Sequence, residues 1–174
     1  MPIDVFVADE QNAQPVDGHR WAVLAKAVLE AQGLRGDAEL SVIFVDEETI
    51  ASHNKQFLNH DGPTDVLSFP IEDEPIVSGR APDNGSTGPS SNEHLDEAPL
   101  LLGDILICPE VAFKNAPEHT GSYDEELALL LVHGILHLVG MDHEIEAEAV
   151  AMEAREQELL NAHYRSATTP SDKP

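Results

Sequence analysis

One run of the sequence combines residue types and spacings that converge on a single chemistry: His133-Gly134-Ile135-Leu136-His137-Leu138-Val139-Gly140-Met141-Asp142-His143. His133 and His137 are four residues apart, so on a helix their imidazoles leave one face, a turn apart, with Cβ atoms about 6 Å from each other. Gly140 stands where a helix C-terminus needs a residue able to take positive φ, and a chain reversal there returns His143 to the same point. Three converging imidazoles with a fourth position free form the ligand set of a catalytic zinc site rather than a closed structural one. Nickel, copper and cobalt also accept imidazole, so the residues fix the ligands before they fix the metal. A lone histidine in an apolar helix is more often a hydrogen-bonded core residue. Three of them without a common partner would be costly to bury.

The surrounding elements are written to place this run on a buried helix. Ser122 followed by Glu125 is a capping-box pattern, and it immediately precedes an apolar stretch. Leu127, Leu129, Leu130, Leu131, Val132, Ile135, Leu136, Leu138 and Val139 then leave almost no polar face.

Upstream, Ile3, Val5 and Val7 alternate as a first strand, and Trp21, Leu24, Ala25, Val28, Leu29 and Gln32 share one stripe of a helix capped by Asp17 and ended by Gly33. Leu40–Val45 reads as a buried strand, followed by a short helix capped by Asp46 and carrying Ile50, Asn54 and Phe57, with Asn59-His60-Asp61-Gly62-Pro63 breaking it. Asp65–Phe69 is a third strand stopped by Pro70, and Leu100–Cys108 a fourth, interrupted at Gly103-Asp104, with Pro109 opening another helix. After His143, a stripe of Ile145, Ala149, Met152, Leu159 and Tyr164 runs along a very acidic helix. Residues 72–99 have almost nothing to bury and read as a flexible insertion, and 166–174 as a disordered tail. The expected architecture is α+β: a single metal-binding domain over 1–165, with one mixed sheet of about four strands covered by helices and the metal helix central.

With 33 acidic against nine basic residues among 174, the formal charge is −24, which argues against broad electrostatic binding to nucleic acid and requires any anionic substrate to be held locally. The single cysteine, Cys108, cannot form an intramolecular disulfide and reads as a core thiol. No secretory leader is apparent, and the apolar stretch around the histidines is too short to span a bilayer, so the cytoplasm is expected.

The histidine run shares the spacing of the metzincin zinc signature, but Gly134 stands where that signature has its glutamate base. Together with Pro63-Thr64-Asp65-Val66-Leu67-Ser68-Phe69 and Gly103-Asp104-Ile105-Leu106-Ile107-Cys108, it resembles the YbeY family of bacterial zinc-dependent endoribonucleases, also described as ribosomal RNA maturation factors. The likeness extends over most of the chain, apart from 72–99 and both ends. It implies one zinc held by His133, His137 and His143, and single-strand-specific cleavage in maturation of the 16S 3′ end and in ribosome quality control. The implied partners are precursor rRNA and the ribosome or its proteins, with neither DNA nor membrane. Thr64, Asp65 and Ser68 match the family's second block, where they either line the cleft or satisfy turn and backbone groups.

One departure concerns the arginine that many members carry before the Pro-Thr-Asp block. Leu58 stands there, with Lys55 and His60 as the nearest substitutes, each read more readily as a solvated residue. The zinc would acidify water and polarise the scissile phosphate, or the ribose 2′-hydroxyl would attack and leave a cyclic phosphate. Asp142 and Glu144 flank the last ligand as candidates for orienting it or moving protons. Two other functions fit the same residues: a ribosome-assembly factor with a structural zinc, and a metallopeptidase that lacks its usual base.

Overall fold

The computed structural model describes residues 3–34, 37–70, 100–141 and 145–165. The insertion 72–99, the tail 166–174 and the residues Asp142, His143 and Glu144 lie outside the described residues. In chain order the elements are β1 (Ile3–Asp9), α1 (Gly18–Ala31), β2 (Ala38–Phe44), α2 (Glu47–Leu58), β3 (Val66–Pro70), β4 (Leu100–Ile107), α3 (Pro109–Asn115), a 3-10 turn (Ala116–Glu118), α4 (Tyr123–Leu138) and α5 (Glu146–Leu159), which runs into a π turn (Leu160–Arg165).

The strands form one mixed sheet in the order β1-β2-β4-β3, with β3 antiparallel to β4 and the other pairs parallel. This is the α+β architecture expected from the sequence. Pro70, which has no N–H to give, falls on the edge strand, where a missing donor is tolerated. On one face of the sheet Trp21, Leu24 and Val28 of α1, Leu131 and Ile135 of α4, and Met152 and Leu159 of α5 pack on Leu40, Val42, Ile105 and Ile107. On the other, Ile50 of α2 closes a smaller cluster with Leu67, Leu106 and Cys108.

β4 runs straight through Gly103-Asp104, where the sequence suggested an interruption. Glu39 pairs with Leu101 and Leu40 with Gly103, so Leu102 is an extra residue in a β-bulge. The bulge lets Leu102 and Ile105, three apart, reach the same core. Gly103 is required there: its φ is +143°, and a Cβ would lie 2.3 Å from the Phe69 carbonyl oxygen.

The caps follow the sequence. Asp17 accepts from the Arg20 N–H (3.4 Å), Asp46 from Thr49 (2.8 Å) and Ser122 from Glu125 (3.1 Å). The bonds from Thr49 hold the Asp46 carboxyl below the usual carboxylate range. Ile145, placed on the acidic helix's stripe, is mostly exposed and precedes the first turn of α5 as its N-cap, and Phe57 of α2 is exposed, stacked on His53 and edge-on to Phe69. Cys108 is fully buried at the end of β4, and burial pushes its thiol pKa up. Among the described residues, no helix is long and apolar enough to cross a membrane.

Candidate metal centre

α4 is enclosed by the sheet and its neighbouring helices, and from Leu130 to Leu138 every residue except His133 and His137 is buried. With Leu129, the two histidines fall at intervals of four, on the one line of that stretch that reaches solvent. The helix ends as Gly140 anticipates. Gly140 takes φ 107°, its N–H donates to the His137 carbonyl (3.1 Å), and the Met141 N–H donates to that of Leu136 (2.9 Å), the paired bonds of a Schellman motif. The chain therefore turns back directly beneath His137. His143, the third expected ligand, lies outside the described residues, and among those residues no group of three metal-binding side chains assembles.

His133 and His137 converge. Their Nε2 atoms are 3.1 Å apart, with the rings nearly perpendicular at 83°. Two nitrogens bound to one tetrahedral zinc at about 2.0–2.1 Å stand about 3.3 Å apart, so the pair is already close to the spacing a metal would require. On its other side, His133 Nδ1–H donates to Glu156 Oε2 at 2.5 Å. Donation to a carboxylate puts the proton on Nδ1 and leaves the Nε2 lone pair facing His137. A metal-binding histidine is commonly held in this way. Glu156 is almost fully buried on α5, between Met152 and Leu159. The sequence reading passed over it, although positions 152, 156 and 159 form one helical stripe.

A cavity of about 380 Å³ opens beside His133, lined by Asp65, His119, Leu129, Met152, Glu153 and Glu156 among others. Among the described residues its wall carries three carboxylates and two histidines but neither lysine nor arginine. That charge balance repels a phosphodiester and favours a cation, so the residues present fit a divalent metal with imidazole and carboxylate neighbours. His119 is also held by a carboxylate: Nδ1–H donates to Glu126 at 2.9 Å, and Glu126 is fully buried on α4. Neither member of this pair stood out in the sequence.

The second block divides its roles. Asp65 lines the cavity, whereas Ser68 Oγ–H donates to the Gly134 carbonyl (3.2 Å) and so fastens β3 to α4. The Thr64 hydroxyl reaches only Asp65, at 3.5 Å. Gly134 lets helix and sheet approach closely, since a Cβ there would stand 3.0 Å from Ile105 Cγ2 and 3.2 Å from Ser68 Oγ. A glutamate at that position, as a metzincin requires, has no room. Leu58 is exposed at the end of α2 and is absent from the cavity wall, Lys55 pairs with Asp61 at 2.9 Å, and His60 is exposed. None of the three supplies the missing cation.

The chain is similar to known proteins over most of its length. A family model described as Endoribonuclease YbeY matches residues 6–164. A relative from Salinispora tropica that bears this name is 40% identical over 167 residues, spanning 94% of this chain and 98% of its own length. Another, from Thermobifida fusca, is 40% identical over 165 residues, spanning 94% and 96%. The solution structure of TM1509 from Thermotoga maritima superposes with a TM-score of 0.55 at 26% identity, over 98% of this chain and 97% of that one. The match runs from β1 to the turn after α5 and takes in the glycine bulge, the Ser68 contact and the histidine helix, and on it the chain belongs to the YbeY family.

Proposed function

We propose that this chain is a zinc-dependent endoribonuclease that cuts single-stranded RNA, working in the cytoplasm on precursor rRNA at the 16S 3′ end and in ribosome quality control. The carrying observation is the pair of Nε2 atoms 3.1 Å apart, with His133 oriented by buried Glu156, on the wall of an acidic cavity. His133, His137 and His143 hold one zinc in this reading, within a single hydrolase domain over 1–165 that carries 72–99 as an insertion. Membership of a family whose model and relatives are named as endoribonucleases supports RNA as the substrate.

Zinc in that place supplies Lewis acidity, acidifying water and polarising a phosphoryl oxygen. The chain's own contribution is positioning. α4 and Glu156 fix the His133 ring before a metal arrives, which reduces the ordering left to be done on binding. The cavity, about 380 Å³, is too acidic to hold a nucleotide's phosphate without a bound cation. RNA and the ribosome are the partners this implies.

The test is cleavage of an end-labelled single-stranded rRNA precursor fragment by zinc-loaded protein, beside a His133→Ala preparation purified identically. Cutting by the first alone is expected. Cutting by both, or zinc retained at full occupancy in His137→Ala, overturns the assignment. A zinc-loaded wild type that leaves the RNA intact favours a ribosome-assembly role, with Leu58→Arg as the next variant.

A further inference from the structure

A second histidine, His119, shares the cavity wall with His133 and lies outside the set of three proposed to hold zinc. His119 follows the 3-10 turn, and its side chain is 58% exposed, yet it is anchored to a carboxylate with no exposure at all. We propose that His119 is a catalytic residue of the same site, the general base toward the hydroxyl that attacks the phosphodiester, with Glu126 holding it in that role. This rests on the ribonuclease function proposed above.

The geometry carries the assignment in three steps. First, His119 Nδ1 lies 3.0 and 2.9 Å from the two Glu126 oxygens, and Thr120 Oγ–H adds a donation to Oε1 at 2.7 Å. A carboxylate supplied with two donors in a buried setting fixes the imidazole with its proton on Nδ1 and its lone pair on Nε2. A buried carboxylate behind a histidine does the same in serine hydrolases. Second, Nε2 makes no hydrogen bond among the described residues, and the ring lines the cavity that His133 also lines. Third, a wholly buried carboxylate is expensive, and an apolar residue would fill its place on α4 more cheaply if the turn only needed packing.

In the step so assigned, Nε2 accepts the proton of the attacking hydroxyl as its oxygen bonds phosphorus. The P–O bond to the departing ribose oxygen breaks, that oxygen takes a proton from solvent, and His119 releases its own to solvent. The balance is the same whether the attacking hydroxyl belongs to water or to the ribose 2′ position.

His119→Gln keeps the ring's approximate volume and a hydrogen bond to Glu126 but cannot move a proton. Loss of a general base costs kcat about 10²–10⁴-fold, and zinc affinity measured by chelator competition should stay at the wild-type value. His119→Ala should regain turnover with added imidazole, which a merely structural histidine would not allow. In parallel, 3′-uridylate is titrated against the protein while the His119 Hε1 resonance, identified by its absence in His119→Gln, is followed. A shift on saturation is expected.

The proposal is overturned if His119→Gln cuts RNA within threefold of wild type, if its loss follows loss of zinc, if imidazole restores nothing, or if uridylate leaves the resonance unmoved. In each of these cases wild type still cuts and His133→Ala does not, so the ribonuclease function stands. Wild-type protein that cuts no RNA removes that function, and the catalytic role of His119 with it.

Discussion

Glu156 offers the sharpest test of the proposed metal centre, because its effect should appear in metal affinity independently of any RNA. Its Oε2 accepts from His133 Nδ1 at 2.5 Å, a short charge-assisted bond, and the residue is 6% exposed, so water cannot readily replace it. Removing a carboxylate that orients a metal-binding histidine weakens metal binding by about 10–100-fold, which is about 1.4–2.7 kcal/mol. Glu156→Gln keeps an acceptor oxygen for Nδ1–H but loses the charge, and should fall near the lower figure. Glu156→Ala frees the ring and should fall near the upper one. Zinc affinity is read by competition with a chelator of known strength, and the melting temperature of the metal-free protein reports any general damage. Glu153 provides the control: it lines the same cavity but is exposed and makes no hydrogen bond to His133. Glu153→Gln should change affinity less than threefold. The reasoning fails if Glu156→Ala binds zinc within twofold of wild type, or if Glu153→Gln weakens it equally. The second result would assign the effect to cavity charge rather than to orientation.

Two further outcomes follow from the packing. Gly134→Ala places a methyl 3.0 Å from Ile105, which is fully buried and cannot retreat. Overpacking costs about 1–3 kcal/mol against about 1 kcal/mol gained in helix propensity, so a net loss of melting temperature is expected, and an unchanged or raised value would contradict the close approach. Tyr123 donates to the Pro15 carbonyl at 2.9 Å, and burial first, then the charge of Asp124, pushes its phenol up to about 12 from 10.0. The folded state thus keeps a proton that the unfolded chain loses near pH 10. The stabilisation is complete below pH 10 and is lost as the pH rises through about 12, so the stability difference between wild type and Tyr123→Phe should shrink across that interval. A flat difference would refute it.

Local signals carried most of the fold. Asp17, Asp46 and Ser122 each cap the helix that their sequence context marks, and Gly140 ends α4, because these features depend on groups only three to five residues apart. The histidine helix was legible for a further reason. Apolar residues on every side leave few places for two histidines to go, and they occupy its one open line. What stayed hidden depends on contacts distant in sequence. Position β4 holds between β2 and β3 was not written in either neighbour, and the Gly103 bulge follows from the Phe69 backbone that it must pass.

The two buried glutamates show why the remainder of the site could not be read directly. In a chain with 33 acidic residues, Glu126 and Glu156 are indistinguishable by type from those that merely solvate the surface. Their partners lie seven and 23 residues away. The close approach of α4 to the sheet explains why this second layer comes from elsewhere. With Ile105 and Ser68 against Gly134, the residue after His133 cannot carry a carboxylate, and the carboxylate that orients His133 comes from another helix. α5 supplies it at Glu156. A glycine that removes the base of a metalloprotease thus lets α4 approach β3 and β4 and leaves orientation of His133 to α5, an arrangement that becomes apparent only when those elements are seen together.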